Sequence, residues 1–279
     1  MSACRIAYVR YLNTAPLVEG LASDPSVTLI PAVPSRIAGL VRRGEADVGL
    51  ASVVDATDGL TVLPVGMIGC DGPTLTVRVF SSVPVAQVRE LHADTDSHTS
   101  VVLAQVVLAL MGVGPLRVTD FDARERAPID EARASGPIEG AWPEAVLLIG
   151  DKVVCDAPPA DRYPYQMDLG EEWKKLTGLP FMYAAWVCRT GEEGSPAVGR
   201  ACMLLDRQRR RNAMRIGWIA GRRSGGTRWS PALAQRYLGE SLRYELGASA
   251  RAGLGRFVAE AGARGLHAGR IPAFAGGGR

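Results

Sequence analysis

Ala7-Tyr8-Val9-Arg10-Tyr11-Leu12-Asn13-Thr14-Ala15-Pro16-Leu17 is the stretch whose reading decides the fold. A short apolar strand, Ile6 to Val9, runs straight into a polar loop. The loop opens a helix, with Asn13 or Thr14 as the expected cap and Pro16 in the first turn. In open α/β sheets, ligands collect beyond the carboxyl ends of strands and at helix N-termini. Arg10, Tyr11, Asn13 and Thr14 are therefore expected to face a cleft.

Strand and helix signals alternate on either side of this stretch. Val27 to Pro31 reads as a strand. Pro34 to Arg43 reads as a helix, with Ser35 near its cap, Ile37, Leu40 and Val41 on one face, and Gly44 as its stop. Ala46 to Leu50 is the next strand and ends at Ala51-Ser52. This βαβ rhythm implies a parallel sheet. Thr61 to Met67 and Leu75 to Phe80 read as further strands, separated by the turn signal Cys70-Asp71-Gly72-Pro73. A polar loop, Asp94 to Ser100, is expected to lead into a helix from Val101 to Met111. Ala145 to Ile149 is a buried strand ending at Gly150-Asp151. Phe181 to Cys188 is an apolar strand able to carry the chain back to where it began. From Ser195 the chain reads as helical, with a Gly-rich loop at Gly221 to Gly226 and a tail, Ala273 to Arg279, expected to be disordered.

One unit interrupted by another is the plan of a two-lobed, ligand-clasping α/β protein that closes by hinge motion. The expected lobes are residues 1–80 with 186–279, and residues 81–185.

The composition limits the function classes. The 279 residues are 47% hydrophobic and 22% charged, ordinary for a globular chain. The longest apolar stretch, Val101 to Val113, is broken by Gln105 and too short to span a bilayer. Arg5 and Arg10 interrupt the N-terminus where an export signal needs an unbroken apolar run. Five scattered cysteines without CxxC spacing, and only three histidines, argue against a zinc site or a disulfide framework and fit a reducing cytoplasm. From Arg200 onward there are 16 arginines and 4 acids, against 16 Lys and Arg and 25 acids before it. The basic end lacks regularly spaced aromatics and any zinc-finger pattern, so it reads as a solvated helical face rather than a nucleic-acid surface.

Three polar clusters end strands or start helices: Arg10 to Thr14, Ser52, and Ser97 to Ser100. Together they offer hydroxyls, amides and free helix N–H groups, which suits a carboxylate-bearing ligand. Thr99 and Ser100 also suit plain helix capping. GxGxxG, Walker, HExxH and GxSxG motifs are absent. The lysines are Lys152, Lys174 and Lys175, and none sits in a cleft-like loop. His98 is the histidine in a candidate site loop, where it reads either as a general base or as a surface residue.

Tyr11-Leu12-Asn13-Thr14-Ala15-Pro16-Leu17 resembles the opening of the chorismate dehydratase family of the futalosine route to menaquinone. Further segments fit in order. They are Gly44-Glu45-Ala46-Asp47-Val48-Gly49-Leu50 with Ser52, then Asp71-Gly72-Pro73, Thr99-Ser100-Val101 and Leu148-Ile149-Gly150-Asp151. Last come Asp168-Leu169-Gly170-Glu171-Glu172-Trp173 and Thr177-Gly178-Leu179-Pro180-Phe181. The likeness covers roughly Ile6 to Arg189; the arginine-rich end carries little of it.

The resemblance implies a type II periplasmic-binding-protein fold used as an enzyme. It implies dehydration of chorismate to 3-[(1-carboxyvinyl)oxy]benzoate with no metal or organic cofactor. It implies Asn13 as the key catalytic residue beside the reacting ring. Arg10, Tyr11, Ser52, Asp71, Gly72, Thr76, Ser97, His98, Thr99, Ser100, Gly150 and Asp151 are then the candidate substrate-binding residues. With no evident protein base, the enolpyruvyl carboxylate of the substrate is the expected proton acceptor. The chain departs from the family pattern at His98, where arginine is usual, at Arg10, which replaces a small residue, and at Arg78, in a strand usually apolar there. Two rivals compete: a non-catalytic binding protein for a small carboxylate, and the sister enzyme 1,4-dihydroxy-6-naphthoate synthase, whose opening is Ser/Pro/Asn/Asp-rich.

Overall fold

Val48 to Ser52 is buried at every position, the pattern of a strand covered on both faces. It lies inside a seven-stranded sheet. The computed structural model describes residues 3–122 and 142–276. The first sheet begins with β1 (Cys4–Tyr8), β2 (Val27–Pro31), β3 (Val48–Ser52) and β4 (Leu60–Cys70). β1 pairs in parallel with β2 and with β3, as the βαβ rhythm implies. Helices α1 (Ala15–Val18) and α2 (Pro34–Arg42) make the crossings. Ile37, Ala38 and Val41 form the buried face of α2. A Cβ on Gly49 of β3 would come within 2.6 Å of Ile37, so glycine is what lets α2 lie this close. The N-cap of α2 is Val33, not Ser35; Pro34, first in the helix, has no N–H for a cap to satisfy.

The second sheet holds β5 (Val77–Ser81), β6 (Glu90–Asp94), β7 (Arg117–Phe121), β8 (Ala145–Ile149) and β9 (Tyr165–Asp168), in the order β7-β6-β8-β5-β9. It carries α3 (His98–Leu110), α4 (Lys152–Cys155) and α5 (Leu169–Thr177). The chain returns through β10 (Phe181–Arg189), antiparallel to both β3 and β4, which makes the first sheet mixed. The boundaries expected after residue 80 and before residue 186 both fall within strands: β5 lies wholly in the second sheet and β10 wholly in the first.

Helices α6 (Pro196–Ala213), α7 (Ile216–Ser224) and α8 (Pro231–Arg236) follow, then a π-turn at Tyr237–Ser241, β11 (Leu242–Arg243), α9 (Ala248–Ala263) and β12 (Ala273–Phe274). β11 and β12 both pair with β4. The expected disordered tail is thus ordered at Ala273 and Phe274, where Arg251 sits 4.2 Å above the Phe274 ring; residues 277–279 lie outside the described residues. The glycine-rich composition hides this one anchoring ring.

The basic end is a paired helical surface. Arg209 and Arg210 bridge Asp206, Arg207 bridges Asp24, and Arg222 and Arg223 bridge Glu19. Its inward side is mostly apolar, with two buried amides. Asn212, fully buried, donates to the carbonyls of Pro16 and Glu19 at 3.1 and 3.0 Å, and Gln208 donates to Glu19 as well. These amides satisfy carbonyls at the end of α1 that the helix itself leaves unpaired. Among the described residues no helix is long and apolar enough to cross a membrane.

Candidate functional site

The carboxyl ends of β1 and β3, the start of α3, the end of β8 and the crossing segment before β5 converge on one cavity. From the opening loop come Tyr11 and Asn13. Leu12–Thr14 forms a 3₁₀ turn leading into the four-residue α1, and neither Asn13 nor Thr14 caps it through a side chain. Thr14 Oγ1 instead donates to Asn13 Oδ1 at 3.0 Å. That bond occupies the Asn13 carbonyl oxygen and leaves the amide nitrogen for other partners.

Across the cavity stands α3. It begins at His98, three residues earlier than expected, because Ser97 caps it by accepting from Ser100 N at 3.1 Å. Thr99 and Ser100 are thus in its first turn rather than in the loop. Thr99 is buried and its Oγ1 has no hydrogen-bond partner in the protein. An unpartnered buried hydroxyl is costly unless something else satisfies it. It stands at the positive end of a thirteen-residue helix, where negative charge is favoured.

Asp168, in the predicted Asp168-Leu169-Gly170 signature, does two jobs. It caps α5 by accepting from Gly170 N and Glu171 N, and it accepts from Thr74 N and Leu75 N at 2.9 and 2.6 Å. Leu75 has φ +71°, a conformation a leucine keeps only when its surroundings hold it. The held segment aims Thr74 and Thr76 into the cavity. Thr74 Oγ1 meets Tyr183 Oη at 2.7 Å, and Thr76 Oγ1 meets Tyr237 Oη at 2.5 Å. Burial pushes the pKa of both tyrosines far up, so both phenols keep their protons. No Asp, Glu, His, Lys or Arg lines the cavity among the described residues.

Charge lies directly behind the wall. Lys152, fully buried on α4, bridges Asp94 and Asp96 at 2.8 and 2.7 Å. Its Nζ is 5.8 Å from the Tyr11 ring centroid, and Tyr11 Oη donates to Asp96 at 3.1 Å. Gly150, at φ +64°, presses flat on that ring, since a Cβ there would come within 2.7 Å of it. Asp151 accepts from Leu12 N at 3.2 Å and from Trp229 Nε1 at 3.2 Å. These contacts join the second sheet's unit to the opening loop.

Of the residues singled out by sequence, the cavity brings together Tyr11, Asn13, Ser52, Thr76, Ser97, Thr99, Ser100 and Gly150. Five lie elsewhere. Arg10 is exposed in an outer cleft with Tyr8, Arg223 and Trp229. Asp71 pairs with Lys174 at 2.6 Å on the surface, and Gly72 is buried beside it without lining the cavity. His98 points back to Asp55, its Nδ1 2.8 Å from Oδ2, and that carboxylate raises its pKa. Asp151 joins the two units instead of facing the cavity. Arg78 is turned to Gln166 and Asp168. Sequence reading missed Thr74, Tyr183, Tyr237 and Trp229, and passed over Lys152. The Asp94-Thr95-Asp96 spacing and the lysine closing a buried strand were the available signal for the last; nothing local marked Tyr237.

Fold and site together define a two-unit α/β protein of the periplasmic-binding-protein kind. A structure from Archaeoglobus fulgidus matches with TM-score 0.63 at 16% identity, covering 94% of this chain and 97% of that one. An alkanesulfonate-binding protein from Xanthomonas axonopodis pv. citri, solved with MOPS, matches at 0.59 and 15%, covering 96% and 94%. The chain belongs to the menaquinone biosynthesis family, whose sequence model matches residues 4–263. It is 28% identical over 268 residues to a chorismate dehydratase of Thermus thermophilus, covering 89% of this chain and 92% of the relative.

Proposed function

We propose that this chain is a hydro-lyase that dehydrates chorismate to 3-[(1-carboxyvinyl)oxy]benzoate, acting in the cytoplasm. The observation that carries the reading is a cavity bounded by the Asn13 amide on one side and by the unpartnered Thr99 hydroxyl at a helix N-terminus on the other. The menaquinone family and the Thermus relative support it. The five cysteines are all free, in keeping with a reducing compartment.

Chorismate is a dianion carrying a ring hydroxyl next to the carbon that bears the enolpyruvyl ether. Thr99, Ser100 and the amides of the first turn of α3 receive one carboxylate. Ser52 and Thr76 hydrogen-bond the substrate from the first-sheet side. One ring C–H bond and the adjacent C–O bond break, and their electrons complete an aromatic ring. The aromatic product supplies the driving force, so the protein's task is to hold one conformer and stabilise the departing hydroxyl. Asn13 N–H donates to that hydroxyl. With no Asp, Glu, His or Lys on the cavity wall among the described residues, the substrate's enolpyruvyl carboxylate takes the ring proton and passes it to the departing hydroxide, releasing one water. Tyr11, braced by Gly150, packs on the ring. The two units part to admit substrate, and the Asp151 contacts re-form on closure.

Purified protein incubated with chorismate is expected to bleach the cyclohexadiene absorbance and yield a product lighter by one water. Tight binding of chorismate without turnover would sink the enzyme reading.

A further inference from the structure

Tyr237 reaches the cavity from the arginine-rich end, beyond the segments that carry the sequence resemblance but within the residues the family model matches, as the first residue of the π-turn. Isolated π-turns are uncommon and tend to occur where function needs a side chain re-aimed. Three groups meet its side chain. Thr76 Oγ1 is 2.5 Å from the phenol oxygen, the Asn13 side chain hydrogen-bonds the same oxygen, and Trp229 stacks on the ring with centroids 5.0 Å apart.

One arrangement of the hydrogen bonds satisfies every member. Asn13 Oδ1 accepts from Thr14 Oγ1, and the Asn13 contact acts to lower the pKa of Tyr237, as an N–H donated to the phenol oxygen does, so the NH₂ is the end that meets Tyr237. An amide NH₂ has two N–H bonds. One donates to the Tyr237 oxygen, and the other is left for the cavity. Tyr237, having accepted from Asn13, donates its single O–H to Thr76 Oγ1. A chain of this kind polarises each member toward the next. Trp229 adds a link to the other unit, because its Nε1–H donates to Asp151 while its ring lies on Tyr237.

We propose that Tyr237 is a positioning residue: it locks the Asn13 amide so that one N–H faces the reacting atoms, and Trp229 couples that lock to closure of the two units through Asp151. The proposal rests on the dehydratase reading for the identity of the reacting atoms, but the orientation of the amide can be observed without turnover.

Tyr237→Phe keeps the ring and its stack and deletes only the hydroxyl. With chorismate, kcat is expected to fall about 10²-fold, the scale of a misplaced reacting group, while KM changes little. Trp229→Phe, which keeps a stacking ring and loses the bond to Asp151, is expected to lower kcat less. Thr76→Val is expected to lower kcat and Thr76→Ser to restore most of it. Because Thr76 also faces the substrate, the deciding readout there is the Asn13 amide, which should turn in the Thr76→Val structure and not in Thr76→Ser, and this decides the matter if Tyr237→Phe does not fold. Crystal structures of the wild type and Tyr237→Phe should show the Asn13 amide turned in the variant. An unmoved amide, an unchanged kcat, or a loss confined to KM would overturn the proposal. A wild type inert toward chorismate would overturn the dehydratase reading instead, and the amide's position in the two structures would still decide this one.

Discussion

On the first-sheet side the cavity is walled by neutral groups, Asn13, Ser52, Thr74, Thr76 and Tyr237, whereas the second-sheet side keeps Lys152, Asp94 and Asp96 immediately behind its lining. The charged cluster holds one cation against two anions and would repel a dianion if exposed to it. The Tyr11 ring and the flat face of Gly150 stand in between. The charged cluster lies within the second unit and reaches the opening loop through Tyr11 Oη, while in the proposed reading anion recognition falls to neutral donors and the end of α3. Removing a charge should cost stability, and removing a neutral donor should cost function.

The largest effect is expected at Lys152→Met. It strands Asp94, which is 0% exposed, and breaking a buried ion pair costs roughly 3–5 kcal/mol. Denaturant unfolding should show that loss, and adding Asp94→Asn to the same chain should recover part of it. An unchanged midpoint would erase the contrast. Asn13→Ala comes next, with the opposite signature: turnover of chorismate falls by about 10²–10³-fold, the range for losing one transition-state donor, at little cost in stability. Should the unfolding midpoint drop while kcat holds, Asn13 belongs with the structural residues.

Thr99→Val tests the neutral side more finely. Its hydroxyl has no partner in the empty protein, so stability should hold or rise slightly. KM for chorismate should rise roughly tenfold, about 1.4 kcal/mol. A KM unchanged in Thr99→Val would remove the helix end from carboxylate binding.

The smallest effect is expected at His98→Ala. The His98–Asp55 pair is half exposed, so its worth is below about 1 kcal/mol, and activity should persist because the ring faces away from the cavity. Its pH dependence has a defined sign. Asp55 raises the folded-state pKa of His98 above its ordinary value, so the contribution is complete below that value and fades as pH rises through the raised one. Melting curves of wild type and His98→Ala should therefore differ below the ordinary histidine range and converge as pH rises above it. Loss of turnover in His98→Ala with binding intact would instead make it the base and end the substrate-assisted reading.

The opening loop and the start of α3 were legible because their chemistry is local. A strand ending in hydroxyls and an amide, and a Ser97-x-x-Ser100 cap, carry their own signal within a few residues. His98 misled for the same reason: it is adjacent to the site in sequence, but the helix begins at it and turns its ring to Asp55. Arg10 likewise follows β1 directly yet faces the outer cleft, since neighbouring side chains leaving a strand point to opposite sides. Asp71 and Gly72 form the expected turn, but the cavity begins at Thr74, where Asp168 takes hold of the backbone.

Periodicity and punctuation in the chain by themselves determined the two α/β units, the returning strand β10 and the presence of a polar cleft at strand ends, because burial pattern and turn chemistry are short-range properties. Tertiary structure alone decided what stands around Asn13. Thr76, Tyr237 and Trp229 meet there from segments more than a hundred residues apart, and Asn212 and Gln208 brace the short helix behind it from the arginine-rich end. A hydrogen bond to a distant residue leaves no mark in the sequence around either partner. The charged cluster was hidden likewise, since Lys152 reads as a surface residue until the Asp94 and Asp96 carboxylates are folded against it.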